Sequence, residues 1–126
     1  MAIVALDHLQ LAMPIGAEEQ ARQFYCGVLG MTHVPKPEPM AARGGMWLTA
    51  GSVNVHLGVE TNFAPAKKAH PAFIVDNFEA LMATLQLGNY PVKIDTELAC
   101  AIRFFTEDCF GNRIELIDAK SANIRL

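Results

Sequence analysis

The sequence has little of what marks several common classes of protein. Its three cysteines, Cys26, Cys100 and Cys109, are widely spaced and form no Cys-x-x-Cys pair, which favours a reducing cytoplasm over a disulfide scaffold. No apolar run approaches the roughly 20 residues that cross a bilayer, and no basic leader opens the chain. The net charge is −3, with Lys67-Lys68 as its one adjacent basic pair. We therefore expect a cytoplasmic protein with neither a membrane nor a nucleic acid as partner.

What is present fits a compact enzyme or binding protein. Hydrophobic residues make up 52% of the 126 residues and charged residues 18%, which is typical of a globular protein and excludes a disordered chain. The length predicts one domain, residues 1–126, with room for a substantial core.

Hydrophobic periodicity predicts the same order of elements twice. In the first half we expect strand Ile3–Met13, helix Ala17–Leu29, strand Met31–Pro35 and a hairpin of Gly44–Ala50 and Ser52–Val59. In the second half we expect strand Ala69–Val75, helix Phe78–Leu87, strand Tyr90–Ile94 and a hairpin of Ala101–Thr106 and Arg113–Ile117. The chain is therefore predicted as two tandem modules, residues 1–60 and 69–119.

Two pairs of polar residues occupy equivalent places in the two modules. His8 and His70 lie near the start of each first strand, and His56 and Glu115 lie in the middle of each fourth strand. Strand alternation places all four opposite the large aliphatic side chains, which the helices should cover. If the two half-sheets curl together, the four side chains point into one cup.

Three imidazoles and a carboxylate are suitable ligands for a divalent transition metal, namely Zn, Ni, Fe, Mn or Co. Each residue also has an ordinary interpretation. Glu115 can face water on the solvent side of a sheet, and a single histidine is often a satisfied core or surface group. The joint placement of all four favours a metal site.

The chain resembles the vicinal oxygen chelate superfamily from about Leu6 to Asp118. The resemblance lies in the repeat, in Phe-Tyr-x-x-Val-Leu-Gly-Met at the end of the first helix, and in Asp-x-Phe-Gly-Asn-Arg-Ile-Glu-Leu. It implies an α+β fold in which paired βαβββ modules form a cupped, mixed eight-stranded sheet. It also implies metal ligands on the first and fourth strands of each module, and often a homodimer.

The members of this superfamily imply different chemistries. The sequence is similar to bacterial glyoxalase I at His8, His70 and Glu115, but glyoxalase I has Glu where this chain has His56. Fosfomycin transferases and extradiol dioxygenases use similar sets of two His and one Glu. We expect a metal-dependent lyase, isomerase or dioxygenase acting on a small molecule through vicinal oxygens, with His56 as fourth ligand or general base. The alternative is a metal-free, bleomycin-resistance-like protein that binds a drug or metabolite.

Three further residues are candidates for substrate binding. Arg43 precedes the hairpin that leads to His56 and is placed to bind an anionic group, although a solvated loop arginine fits the pattern equally well. Trp47 and Phe105 lie on strands that can line an apolar pocket, and the ordinary interpretation for both is core packing.

Overall fold

The computed structural model describes residues 2–95 and 101–122. Cys100 lies outside the described residues, and so does most of the polar turn predicted after Ile94. The chain divides into two compact units at the boundary between Ala64 and Pro65. Each unit contains one helix longer than one turn and one four-stranded sheet, so the predicted α+β class is confirmed.

Module one has the predicted βαβββ order. Its elements are β1 (Leu9–Met13), α1 (Glu18–Tyr25), β2 (Thr32–Val34), a 3₁₀ helix (Met40–Arg43), β3 (Met46–Ala50) and β4 (Val53–Val59). The strands follow the spatial order β1-β4-β3-β2. β1 pairs with β4 in parallel, and the other two pairs are antiparallel.

Module two repeats this order. Its elements are β5 (Ala72–Val75), α2 (Phe78–Leu87), β6 (Lys93–Asp95), β7 (Arg103–Glu107) and β8 (Arg113–Asp118). The strand order is β5-β8-β7-β6, with β5 and β8 parallel. In both modules the first strand therefore lies directly beside the fourth, which is the arrangement that brings their polar residues together.

Both first strands are shorter than predicted. β1 begins at Leu9, which pairs with Val55 near the start of β4 and is the first residue in the β1–β4 ladder. β5 begins at Ala72 because Pro71 has no backbone N–H to donate to the ladder. Its carbonyl still accepts a bond of 3.0 Å from the Glu115 N–H, so the chain stays beside β8 there.

Helix α1 ends four residues earlier than predicted. Glu18 and Glu19 occupy its first turn, where the helix dipole favours acids, and Ala21, Phe24 and Tyr25 form its buried face. Turns over residues 26–29 continue to donate to helix carbonyls, but the regular α pattern stops. Helix α2 matches its predicted bounds and packs Phe78 against Phe104 of β7, with ring centroids 5.1 Å apart.

The entry into β3 is fixed by a close approach of backbone to backbone. Gly45 has φ +83°, and a Cβ at this position would lie 2.1 Å from the carbonyl oxygen of Leu57. Its N–H donates to a carboxylate oxygen of Glu18 over 2.9 Å, while the Lys36 ammonium donates to the Gly44 carbonyl. Only glycine fits this point, so the loop before the His56 hairpin has a defined path.

In the part of the chain that the structure describes, neither helix is long and apolar enough to cross a membrane.

Candidate functional site

In module two, His70 and Glu115 are in direct contact. Ala72 lies opposite Glu115 in the β5–β8 register, and His70 precedes Ala72 by two residues. The side chain of His70 is therefore on the same face as that of Glu115, and its Nε2 lies 2.9 Å from Glu115 Oε1. Two of the four residues predicted to share a face are thus in contact within module two.

Glu115 is a buried carboxylate, 6% exposed, in the middle of β8. Its second oxygen, Oε2, accepts a hydrogen bond of 3.0 Å from Arg103 NH1. Burial acts to raise the pKa of Glu115, but the hydrogen bonds and charges of Arg103 and His70 outweigh it and leave that pKa below its usual value. Glu115 is therefore ionised at neutral pH.

Arg103 was not among the residues selected from the sequence. Its other terminal nitrogen, NH2, lies 2.6 Å from Asp95 Oδ2, so one guanidinium joins two carboxylates from β6 and β8. A signal for it did exist. Arg103 and Phe105 share a strand face by alternation, and Phe105 lies opposite Glu115 in the β7–β8 register.

The hydrogen bonding of the His70 ring defines the protonation state of one of its nitrogens, Nδ1. Its Nδ1 lies 2.9 Å from the backbone carbonyl oxygen of Lys68. A carbonyl only accepts hydrogen bonds, so Nδ1 carries the proton and donates. In the neutral ring the lone pair is therefore on Nε2, the nitrogen that faces Glu115.

In module one, His8 and His56 are also brought together, but by stacking. Gln10 lies opposite His56 in the β1–β4 register, so His8 has the same relation to His56 as His70 has to Glu115. The two imidazole rings are 3.9 Å apart between centroids and inclined by 18°. His8 Nδ1 also lies 2.8 Å from Asp7 Oδ2, in an exposed contact.

Trp47 covers the other face of His56. The two residues are opposite each other in the β3–β4 register, and their rings stack with centroids 4.4 Å apart and planes 9° apart. Burial, followed by the proximity of His8, lowers the pKa of His56 from its usual value, and Lys36 adds to this against the opposing charge of Asp7. His56 is therefore largely neutral at pH 7, with a lone pair available to take a proton or bind a cation.

Comparison with known proteins identifies the family. A glyoxalase family protein of known crystal structure from Bacillus anthracis is 44% identical to this chain, with a TM-score of 0.88. The match covers 94% of this chain and 97% of that protein. The chain belongs to the glyoxalase family. This confirms the predicted superfamily and the tandem βαβββ fold.

More distant structures share the fold of this glyoxalase-family chain. Fosfomycin resistance protein FosX from Listeria monocytogenes is 10% identical with a TM-score of 0.74, and the match covers 95% of this chain and 98% of FosX. TnmS3, an antibiotic-binding protein from a Streptomyces species, is 20% identical with a TM-score of 0.70, and the match covers 94% of this chain and 98% of TnmS3. No family model and no curated protein sequence matches the chain.

The predicted substrate-binding residues of this glyoxalase-family chain lie in different settings. Trp47 stacks on His56 as described, and Phe105 contacts His70 edge to face with ring centroids 5.4 Å apart. Arg43 is the last residue of the 3₁₀ helix and is exposed. Its role in binding an anion stays a prediction.

The turn before β8 is held by buried polar groups. Asp108 Oδ1 accepts from the backbone N–H of Phe110 at 2.8 Å and of Asn112 at 2.9 Å, and Asp108 Oδ2 accepts from Asn112 Nδ2 at 2.9 Å. Asn112 Oδ1 in turn accepts from the N–H of Ala66 at 3.0 Å. The segment Asp108–Asn112 is thus a hydrogen-bonded support for the start of β8.

Cys109, in the same turn, is not a nucleophile in this structure. Burial raises the pKa of its thiol to about 12, and the neighbouring Asp108 carboxylate adds to the effect. The thiol is therefore protonated at neutral pH and poorly reactive.

Among residues 2–95 and 101–122, no three His, Cys, Asp or Glu side chains lie together as a ready set of metal ligands. Within these residues, His8 lies beside His56 in module one and His70 lies beside Glu115 in module two.

Proposed function

We propose that this glyoxalase-family chain is a divalent-metal-dependent enzyme. His8, His70 and Glu115 are the proposed metal ligands, and His56 is a fourth ligand or a general base. The proposed substrate is a small molecule that binds through two vicinal oxygens, in a reaction of the lyase, isomerase or dioxygenase type. Family membership and the two donor pairs support this proposal.

One contact is the main support. His70 donates from Nδ1 to the Lys68 carbonyl, so a neutral ring has only a lone pair on Nε2. That lone pair faces an ionised carboxylate oxygen of Glu115 at 2.9 Å. Two acceptors at this distance repel each other unless a cation lies between them. The cation is either a proton or a metal ion.

The chemistry of the donors fits a metal ion. The Lys68 carbonyl fixes the His70 tautomer, and Arg103 holds the outer oxygen of Glu115. Metal-binding histidines and carboxylates usually have partners of this kind, which orient the ligand and tune its basicity. Because Arg103 holds Oε2, Oε1 is the Glu115 oxygen that would be available to a metal. Nitrogen and oxygen donors accept Zn, Ni, Fe, Mn and Co alike, so assay must identify the metal.

When bound, such a metal polarises substrate oxygens as a Lewis acid. The protein side chains supply the rest. His56, whose pKa is lowered, is neutral at pH 7 and can take a proton from substrate, and stacking against Trp47 fixes the plane of its ring. Phe105 contacts the edge of His70 and limits the orientations of that ring.

The test is metal binding by protein made without a histidine tag and stripped with EDTA. Titration calorimetry with Zn²⁺, Ni²⁺, Mn²⁺, Co²⁺ and anaerobic Fe²⁺ should give about one site per chain for at least one ion. Glu115→Ala and His70→Ala should each weaken binding by at least about a hundredfold, because a ligand should matter more than an outer-shell partner. Glu107→Ala and His33→Ala are matched controls on the same protein and should bind normally. Metal affinity that is absent in wild type, or unchanged in Glu115→Ala, would refute the proposal.

A second candidate is a metal-free binding protein. It is favoured by the Arg103–Glu115 ion pair, which already balances the charge of the carboxylate, and by the ring stack of His8, His56 and Trp47. In this case a proton on His70 Nε2 makes the contact with Glu115. Trp47 is the single tryptophan, so its fluorescence reports ligands that reach the stack. Quenching by planar aromatic compounds in metal-free protein, together with no metal uptake, would establish this candidate instead.

A further inference from the structure

Arg113 lies on the same face of β8 as Glu115, and its guanidinium lies over an aromatic ring. The two residues are separated by one position, and side chains alternate along a strand, so both project to one side. The guanidinium carbon of Arg113 is 4.0 Å from the centroid of Phe105. Phe105 is also the ring that contacts His70. Arg113 is therefore a neighbour of the His70–Glu115 pair.

The carboxylates that share this face with Arg113 are held by other cations. In residues 2–95 and 101–122 the guanidinium of Arg113 forms neither an ion pair nor a hydrogen bond. Glu107 is opposite Arg113 in the β7–β8 register, but its carboxylate lies 3.5 Å from Lys67 Nζ. Glu115 and Asp95 are both bound to Arg103. The carboxylates of this face are thus paired with other cations.

The contact with Phe105 leaves the hydrogen-bond donors of this arginine available. A guanidinium carries five N–H donors in one plane, and a cation–π contact does not use them as donors to an oxygen. Arg113 is also half-buried, so fewer waters compete for these donors than at an open surface. A planar fork of donors in this state matches a carboxylate or a phosphoryl group, which it can bind through two parallel hydrogen bonds.

We propose that Arg113 is the residue that recognises an anionic group on the substrate, so that the substrates of this site carry a carboxylate or phosphoryl oxyanion beside the reacting oxygens. This rests on the proposed function for the position of the reacting centre, but the binding of the anion itself does not require metal. Arg113 is thus a specificity-determining residue, and Phe105 is the platform that positions it.

The test measures anion binding to EDTA-stripped protein at pH 7, and NMR signals of the arginine Nε–Hε groups report the binding. Acetate and inorganic phosphate are titrated separately, which distinguishes a carboxylate site from a phosphoryl site. The Arg113→Gln variant assigns the signal of Arg113 and should bind the preferred anion about tenfold more weakly, since it loses a charge-assisted pair of hydrogen bonds. Arg22→Gln is the matched control, because Arg22 already contacts Glu19 at 3.3 Å, and it should leave affinity unchanged. Arg113→Lys retains the charge without the fork and should give intermediate affinity.

The outcomes separate this inference from the proposed function. Absence of binding by wild type, or equal affinity in Arg113→Gln and wild type, would overturn the role of Arg113. The metal affinity of Arg113→Gln should equal that of wild type, because Arg113 is not among the proposed ligands. If the anion site is found at Arg113 but no metal binds, the proposed function fails while the anion site stands.

Discussion

Replacing Glu115 by Gln tests whether the buried carboxylate works through its charge. Gln keeps the shape of the side chain: its oxygen can accept from Arg103, and its NH₂ can donate to the lone pair on His70 Nε2. The 3.0 Å bond from Arg103 keeps its charged donor but loses its charged acceptor, and the 2.9 Å contact with His70 also loses the carboxylate charge. Each such change costs roughly 1 kcal/mol, and the 23% exposure of the Arg103 side chain reduces the total to about 1–2 kcal/mol at pH 7.

The loss of stability in Glu115→Gln should become smaller as the pH falls. The pKa of Glu115 is lower in the folded than in the unfolded protein, so the unfolded chain binds the proton more readily. The stabilisation of wild type by Glu115 is therefore complete above the usual carboxyl pKa of about 4.3 and is lost as pH falls through the folded value. Gln has no proton to bind, so the difference between Glu115→Gln and wild type should close at low pH.

The measurement is urea unfolding followed by circular dichroism, with EDTA present, at pH 7 and at pH 3.5. A loss of 1–2 kcal/mol corresponds to a decrease in Tm of about 5 °C for a chain of this size. Glu107→Gln is the control, because its carboxylate is 43% exposed and 3.5 Å from Lys67, and it should cost less than about 0.5 kcal/mol. Equal stability of Glu115→Gln and wild type at pH 7, or a difference as large at pH 3.5 as at pH 7, would contradict this account.

Two further predictions concern backbone fit and thiol chemistry. Gly45→Ala should destabilise the protein by about 3 kcal/mol or more in the same urea assay, because its Cβ meets the Leu57 carbonyl oxygen. Gly51→Ala should destabilise it by about 1 kcal/mol, because Gly51 also has a positive φ but has open space around it. Equal losses in the two variants would contradict the close approach. In a Cys26→Ser/Cys100→Ser background, Cys109 should react with DTNB at pH 8 about a thousandfold more slowly than a free thiol, since its pKa is about 12. A rate like that of a small thiol would show that Cys109 is not shielded.

The fold could be predicted because two independent patterns agreed. Alternation of apolar residues located the strands, and the recurrence of the same element order defined the two modules. The errors lie at element ends, where periodicity carries no information. The strand predicted from Ile3 begins at Leu9 because pairing, not composition, decides where a ladder starts. The helix predicted to Leu29 ends at Tyr25, where turns replace the regular hydrogen bonds.

The donor pairs could be predicted in part. Strand parity and repeat symmetry placed His8, His56, His70 and Glu115 together as one group of four on the face opposite the aliphatic side chains. The structure brings His8 to His56 in one module and His70 to Glu115 in the other. The sequence did not reveal that Arg103 holds Glu115, because that contact is diagonal across two strands and depends on register. Nor did it reveal the His70 tautomer, which depends on the position of a single backbone carbonyl. Assembly of one metal site from the four residues stays a prediction.

The parallel pairing of the first and fourth strands also affects the order in which each module folds. His70 and Glu115 are 45 residues apart in sequence, yet they meet only when β8 closes against β5. Such a long-range contact has a high loop-closure entropy and forms late relative to hairpins and helices. The donor pair of a module therefore exists only after the whole module has folded. A half-made module, such as a nascent chain stopped before β8, is incapable of the chemistry proposed here.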